Sequence, residues 1–205
     1  KFITLKTKMK YNILTYAFFI LFISKSYSQD ALGLSSDLYQ YLIKNDDFNK
    51  DGILNQSEID HICCLSLSNV KSIKGISKLR NLKFVTLELD TFGLDELFEL
   101  EGIKKLTIRS KKKKRSFLLP ANCKFLLELN ELSISDCVFD IETYNIHNIS
   151  TLYLSNCEVN ANISKLLEIK SLTSLDISNS ILKQDLKIEK INTSLKSLTL
   201  RANNL

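Results

Sequence analysis

From residue 62 onward the chain repeats one pattern of apolar and polar positions, apolar-x-x-apolar-x-apolar. It reads ICCLSL from Ile62, LKFVTL from Leu82, IKKLTI from Ile103 and LNELSI from Leu129. ISTLYL from Ile149, LTSLDI from Leu172 and LKSLTL from Leu195 complete seven copies. The starts lie 20, 21, 26, 20, 23 and 23 residues apart, a regularity that chance rarely produces. Each copy predicts a short strand whose first, fourth and sixth residues point inward while those between point outward. One such unit cannot bury its apolar side alone, so neighbouring copies are expected to stack on a shared core. Between the strands, apolar residues recur at three- or four-residue steps, as in IKGISKLRN (73–81) and ISKLLEIKS (163–171). These predict short helical return segments.

The pattern extends past each strand. Eight residues after the start stand Cys137, Cys157 and Asn203, each followed two residues later by Phe139, Val159 or Leu205. Ser180 with Leu182 is a weaker version, and the first three copies carry Val70, Asp90 and Lys111 instead. Over about 144 of 205 residues the chain resembles the leucine-rich repeat family. IKGISKLRNL resembles the repeat of internalin-type proteins within it. The resemblance implies an α/β right-handed solenoid. A curved parallel sheet would form its concave face, and short 3₁₀ or α turns its convex face. Cys137 and Cys157 are then expected as buried thiols bonded to backbone that leaves the strands. A disulfide between them remains compatible with strands about 4.8 Å apart.

The 26-residue spacing accommodates an insertion headed by RSKKKKRS (109–116), expected as a solvated loop. A binding patch for an anionic glycan, lipid head group or nucleic acid is the sharper alternative. No aromatic residue interleaves the run, which speaks against nucleic acid.

Before the first strand lies DFNKDGILNQSE (47–58), which matches a calcium-binding EF-hand loop throughout. Asp47, Asn49 and Asp51 supply side-chain oxygens at positions 1, 3 and 5, and Ile53 a backbone carbonyl at position 7. Asn55 stands at position 9, directly or through water, and Glu58 at the bidentate position 12. Gly52 occupies the sharp turn at position 6. The flanks read as helices: SSDLYQYLIKND (35–46), with Ser36 as candidate N-cap, and QSEIDHI (56–62). A polar turn that binds nothing is the plainer reading. EF-hand sensors work in pairs, and a solenoid needs a cap at its open end. The single loop is therefore expected to fold residues 29–61 into a calcium-stabilised, EF-hand-like N-terminal cap.

Composition refines this picture at three points. The net charge is +5, but Lys1, Lys6, Lys8, Lys10 and Lys25 fall in the first 28 residues, which hold no acidic residue. Without them the 28 basic residues become 23 against 23 acidic ones, so global charge gives no reason to expect a nucleic-acid partner. Lys10, the apolar NILTYAFFILFI (12–23) and the small residues of SYS (26–28) have the layout of a cleaved export signal. Met9 is its natural start, and about twelve apolar residues fall short of the roughly 20 that span a bilayer. Five cysteines without a CxxC pair, and two histidines, argue against zinc.

Three regions are thus expected: a signal over 1–28, the cap over 29–61 and about seven repeats over 62–205, cut short at the C-terminus. The whole combination resembles secreted leucine-rich repeat proteins of Bacteroidetes-type bacteria. On the concave face the outward positions are mostly Ser and Thr, with Phe84, Arg109 and Tyr153 as candidate ligand contacts. Catalytic pairings of nucleophile and base, or of two carboxylates, are not visible in this face. The expected function is an exported, non-enzymatic recognition module for a protein or glycan, secreted or at the cell surface. A structural or adhesive spacer for further domains is the alternative, and an enzyme with its catalytic domain beyond Leu205 the third.

Overall fold

The computed structural model describes residues 32–88, 101–111, 115–117, 124–140, 146–160, 162–183 and 192–204. The export-signal reading of residues 1–28 lies outside them. The chain forms a parallel-strand solenoid, as the repeat predicts. Seven strands make one long sheet in the order β1 (Cys64–Leu67), β2 (Phe84–Glu88), β3 (Lys105–Arg109), β5 (Glu131–Ser135), β7 (Thr151–Ser155), β9 (Ser174–Ser178) and β11 (Ser197–Arg201). All neighbours pair in parallel, and equivalent repeat positions stand opposite one another.

From β1 to β9 the strands of the long sheet alternate buried and outward residues because one face meets the core. Leu132 and Ile134 of β5 and Leu152 and Leu154 of β7 are fully buried, as are their counterparts in β3 and β9. At roughly 1.5–3 kcal/mol for each fully buried aliphatic side chain, these layers dominate the stabilisation of the stack.

The convex side departs from the expectation of turns alone. Short helical pieces do occur, at Ile76–Lys78, Lys124–Leu127 and α3 (Ile163–Leu167). A second parallel sheet also forms, in the order β10 (Ile181–Leu182), β8 (Glu158–Val159), β6 (Cys137–Phe139) and β4 (Arg115–Phe117). In β6 the apolar residues Cys137 and Phe139 are buried around half-buried Val138, an alternation of period two that suits a strand. The insertion expected as a loop therefore contributes Arg115–Phe117 to this sheet, paired with Cys137–Phe139.

The turn between the two sheets has a backbone signature that the apolar pattern does not reveal. Asn69, Asp136, Asn156, Asn179 and Ala202, each seven residues after its repeat start, have φ between 51° and 60°. Asn and Asp tolerate this left-handed region best among non-glycine residues. The next residue then points inward and bonds back to the preceding repeat. Asn203 Oδ1 accepts from Ser180 N at 2.9 Å while its Nδ2 donates to Ile177 O at 2.8 Å. Ser180 Oγ accepts from Cys157 N at 3.0 Å, and Cys157 Sγ donates to Ile134 O at 3.4 Å. Burial pushes the Cys157 thiol up from its ordinary pKa, and Cys137 and Cys157 are both buried.

Two helices cover the β1 end. In α1 (Ser36–Asp46), Leu38, Tyr39 and Leu42 face the core. Ser35, rather than Ser36, is its N-cap, accepting from Leu38 N at 3.3 Å. Ser35 is better placed because it also joins the first repeat, donating through N to Lys74 O and through Oγ to Ser72 O. In α2 (Gln56–His61), Ile59 is buried, and Asn55 and Glu58 form a reciprocal capping box. Tyr41 Oη donates to Ser66 O in β1. The contact is closest at Gly75, with φ 86°, where an added Cβ would lie 2.2 Å from the Gly33 carbonyl oxygen. Replacing Gly75 with Ala should therefore destabilise the chain by more than the roughly 1–2 kcal/mol of left-handed strain alone. Denaturant unfolding checks this, and an unchanged midpoint would show that the cap does not pack here.

Candidate functional site

Two features of the sequence fall on describable geometry. The first is the loop between α1 and α2. Lys50 and Gly52 take positive φ, 59° and 77°, and turn the chain back on itself. Asp47 Oδ2 accepts from Gly52 N at 2.8 Å, Asn49 Oδ1 from Asp51 N at 2.9 Å and Asp51 Oδ1 from Ile53 N at 2.8 Å. Asn49 Nδ2 also donates to Asp51 Oδ2 at 3.0 Å. The polar side chains thus hold the loop's own backbone, with Leu54 buried beneath it and its N–H donating to the Tyr39 hydroxyl. Burial pushes the neighbouring Asp46 carboxyl above the usual carboxylate range.

The two ends of the loop are unusual. Glu58 is 4% exposed; its Oε2 accepts from Asn55 N, while its Oε1 is buried and meets no hydrogen-bond donor. Asp47 Oδ1 is likewise buried without a donor. A buried carboxylate oxygen without a partner costs on the order of 1–3 kcal/mol or more. A cation would supply what both lack. The donor set of Asp47, Asn49, Asp51, the Ile53 carbonyl and Glu58 is all oxygen, which fits a hard divalent cation. Asn55 Oδ1 is engaged as the N-cap of α2, bonded to Glu58 N at 3.1 Å, an arrangement that suits the water-mediated form of its expected role. Among the described residues, no group of three His, Cys, Asp or Glu side chains converges closely enough to hold a metal by itself. An ion held here would therefore need the loop's amide and backbone oxygens as well.

The second feature is the outward face of the long sheet, where the sequence columns are reproduced in register. One reads Cys64, Phe84, Lys105, Glu131, Thr151, Ser174 and Ser197, and the next Ser66, Thr86, Thr107, Ser133, Tyr153, Asp176 and Thr199. Phe84 is 46% exposed and Tyr153 39%, so both rings stand free of the core. Arg109 is exposed too, but it is drawn toward Asp136 at 3.7 Å. Lys105 pairs with Glu131 at 2.7 Å and Lys111 with Glu88 at 2.8 Å.

The three candidate contacts share this face but not one cluster. Phe84 and Tyr153 are three strands apart, about 14 Å at ordinary strand spacing, and Arg109 lies four residues along from the level of Phe84. The residue that sequence reasoning passed over is Asp176, the cross-strand neighbour of Tyr153. Its Oδ1 is buried and without a hydrogen-bond partner. The signal was present in the sequence: Asp176 is the one carboxylate in a column otherwise made of Ser, Thr and Tyr.

No protein-family model and no curated protein matches the chain. Solved structures to which it is similar include internalin C2 from Listeria monocytogenes str. 4b F2365, with 16% identity over 81% of this chain and 92% of that one, at a TM-score of 0.45. Another is an internalin (inlF) from the same strain, with 16% identity over 82% and 76% of the two chains, at a TM-score of 0.28. Among the described residues, no helix is long and apolar enough to cross a membrane.

Because both rings project away from the core, Phe84→Ala and Tyr153→Ala should each change stability by no more than about 0.5 kcal/mol. Chemical denaturation checks this; a loss of several kcal/mol would mean that the rings serve packing rather than a surface.

Proposed function

We propose that the chain is an exported, non-enzymatic recognition module that binds a protein or glycan through the concave face. In this reading calcium stabilises its N-terminal cap. The observation that carries recognition is the pairing of exposed Tyr153 with Asp176, whose Oδ1 has no donor of its own. A ring face and a free carboxylate oxygen side by side suit a ligand that presents an apolar patch next to a hydroxyl or ammonium donor. Neighbouring Ser155, Ser178 and Thr199 add short hydroxyls around them. Phe84 and Arg109 are outlying contacts in this reading. Export rests on the signal-like layout of residues 1–28.

A pull-down or glycan array with Tyr153→Ala, Asp176→Asn and Arg109→Ala tests recognition. Tyr153→Ala and Asp176→Asn should each weaken binding to an identified ligand at least tenfold, with Arg109→Ala weaker in effect. Wild-type binding by both of the first two would overturn the assignment.

For calcium, the supporting observation is the pair of buried, unpartnered oxygens at the two ends of the loop, Asp47 Oδ1 and Glu58 Oε1. Asp47, Asn49, Asp51, Ile53 through its carbonyl, Asn55 through water, and Glu58 would hold the ion. Bound there, it would neutralise the carboxylates and tie the end of α1 to the start of α2. At about 100 times Kd, a ligand specific to the folded state adds about 2.7 kcal/mol. At about 2–4 °C per kcal/mol for a chain of this size, Tm should rise by about 5–10 °C over the value in EGTA. Glu58→Gln keeps an acceptor for Asn55 N but removes the buried charge. It should abolish the calcium shift without lowering the calcium-free Tm. A wild-type Tm that ignores calcium, with no heat of binding by calorimetry, would refute the ion.

A further inference from the structure

Cys63 and Cys64 are adjacent in the chain, both exposed, and their sulfurs lie 3.3 Å apart. Neighbouring residues within a strand point to opposite faces, so two touching thiols require the chain to leave strand geometry between them. It does: β1 begins at Cys64, and Cys63 belongs to the segment that enters from α2. The Cys63 carbonyl accepts from both Lys83 N at 2.9 Å and Phe84 N at 3.1 Å, which pins the peptide unit between the two thiols. Cys137 and Cys157, by contrast, are buried in the ladder.

We propose that Cys63 and Cys64 form a redox modification site, closing to a vicinal disulfide by exchange with a disulfide donor such as oxidised glutathione. The thiolate of one cysteine attacks the donor's S–S bond and forms a mixed disulfide while one donor thiolate leaves. The second protein thiolate then attacks the protein-bound sulfur and expels the other donor thiolate. The two protons lost by the cysteines end on the two released donor thiols, and the donor's disulfide takes the two electrons. The hydrogen bond with Cys63 is the main reason that Cys64 holds its proton above the ordinary thiol range.

The ring formed this way is strained. Adjacent Cα atoms are about 3.8 Å apart, below the roughly 4.4–6.8 Å usual across a disulfide. Strain makes the bond easily reduced, the character of a switch rather than of a structural staple. Its location gives the switch a consequence. Cys64 stands directly opposite Phe84 on the concave face, so ring closure changes the surface beside that exposed ring and the peptide that Phe84 N bonds.

The test incubates the folded wild-type chain with oxidised glutathione, then alkylates free thiols and maps the peptides by mass spectrometry. The 63–64 peptide should lose two hydrogen masses, resist alkylation and regain two reactive thiols after reduction, while the Cys137 and Cys157 peptides stay reduced. In Cys64→Ser the second thiol is gone, so a glutathione adduct should persist at Cys63. Two free thiols, a lasting glutathione adduct in the wild type, or a bond from either cysteine to a third one would each overturn the proposal.

Discussion

The structure depends on one constraint: a parallel strand with one apolar face has neither its hydrogen bonds nor its core completed until another strand lies against it. Every repeat here is completed by its neighbours, and the interior strands bury their leucines and isoleucines fully. The constraint reappears at the two ends of the sheet. At the β1 end Leu38, Tyr39, Leu42 and Ile59 of the two helices belong to the same buried apolar cluster as Leu65 and Leu67. At β11, Leu198 is 38% exposed and Leu195 and Leu200 are only partly buried. The loop that joins the two helices sits at the β1 end of the stack, which gives the proposed ion a structural purpose instead of a signalling one.

Committing one side of the sheet to the core leaves the other side free on a stiff support. Salt bridges occupy the charged residues of its N-terminal half, such as Lys105 with Glu131 and Lys111 with Glu88. Exposed pairs of this kind contribute about 0–1 kcal/mol each and serve mainly to settle the surface. The half around Tyr153 carries hydroxyls and one carboxylate oxygen with unused bonding capacity. The proposed recognition is most economically assigned there, since the groups are held in register by backbone pairing and would need little ordering on binding.

The repeat, its strands and the registers were legible because burial imposes a strict alternation, visible even where Cys or Ser replaces Asn. The second sheet was not. Glu158–Val159 and Ile181–Leu182 are too short for a periodicity to show, and they become strands only through the parallel neighbours that the solenoid supplies. The left-handed column was written in the sequence as Asn69, Asp136, Asn156 and Asn179, but a reading confined to apolar positions passes over it, and Ala202 breaks the pattern. The loop residues were legible from their spacing. What spacing does not convey is burial: only the fold reveals that Glu58 and Asp47 each enclose an oxygen without a donor, that Asn55 is spent on capping, and that Arg109 leans toward Asp136.

Native-state hydrogen exchange, followed residue by residue in calcium and in EGTA, tests the central claim that an ion-stabilised cap closes the first edge of the stack. The account predicts that EGTA lowers the protection of amides in α1, α2 and β1 together while β5 and β7 keep theirs, because opening is local to the capped end. Protection that is the same in both conditions, or that falls uniformly along all seven strands, would contradict it.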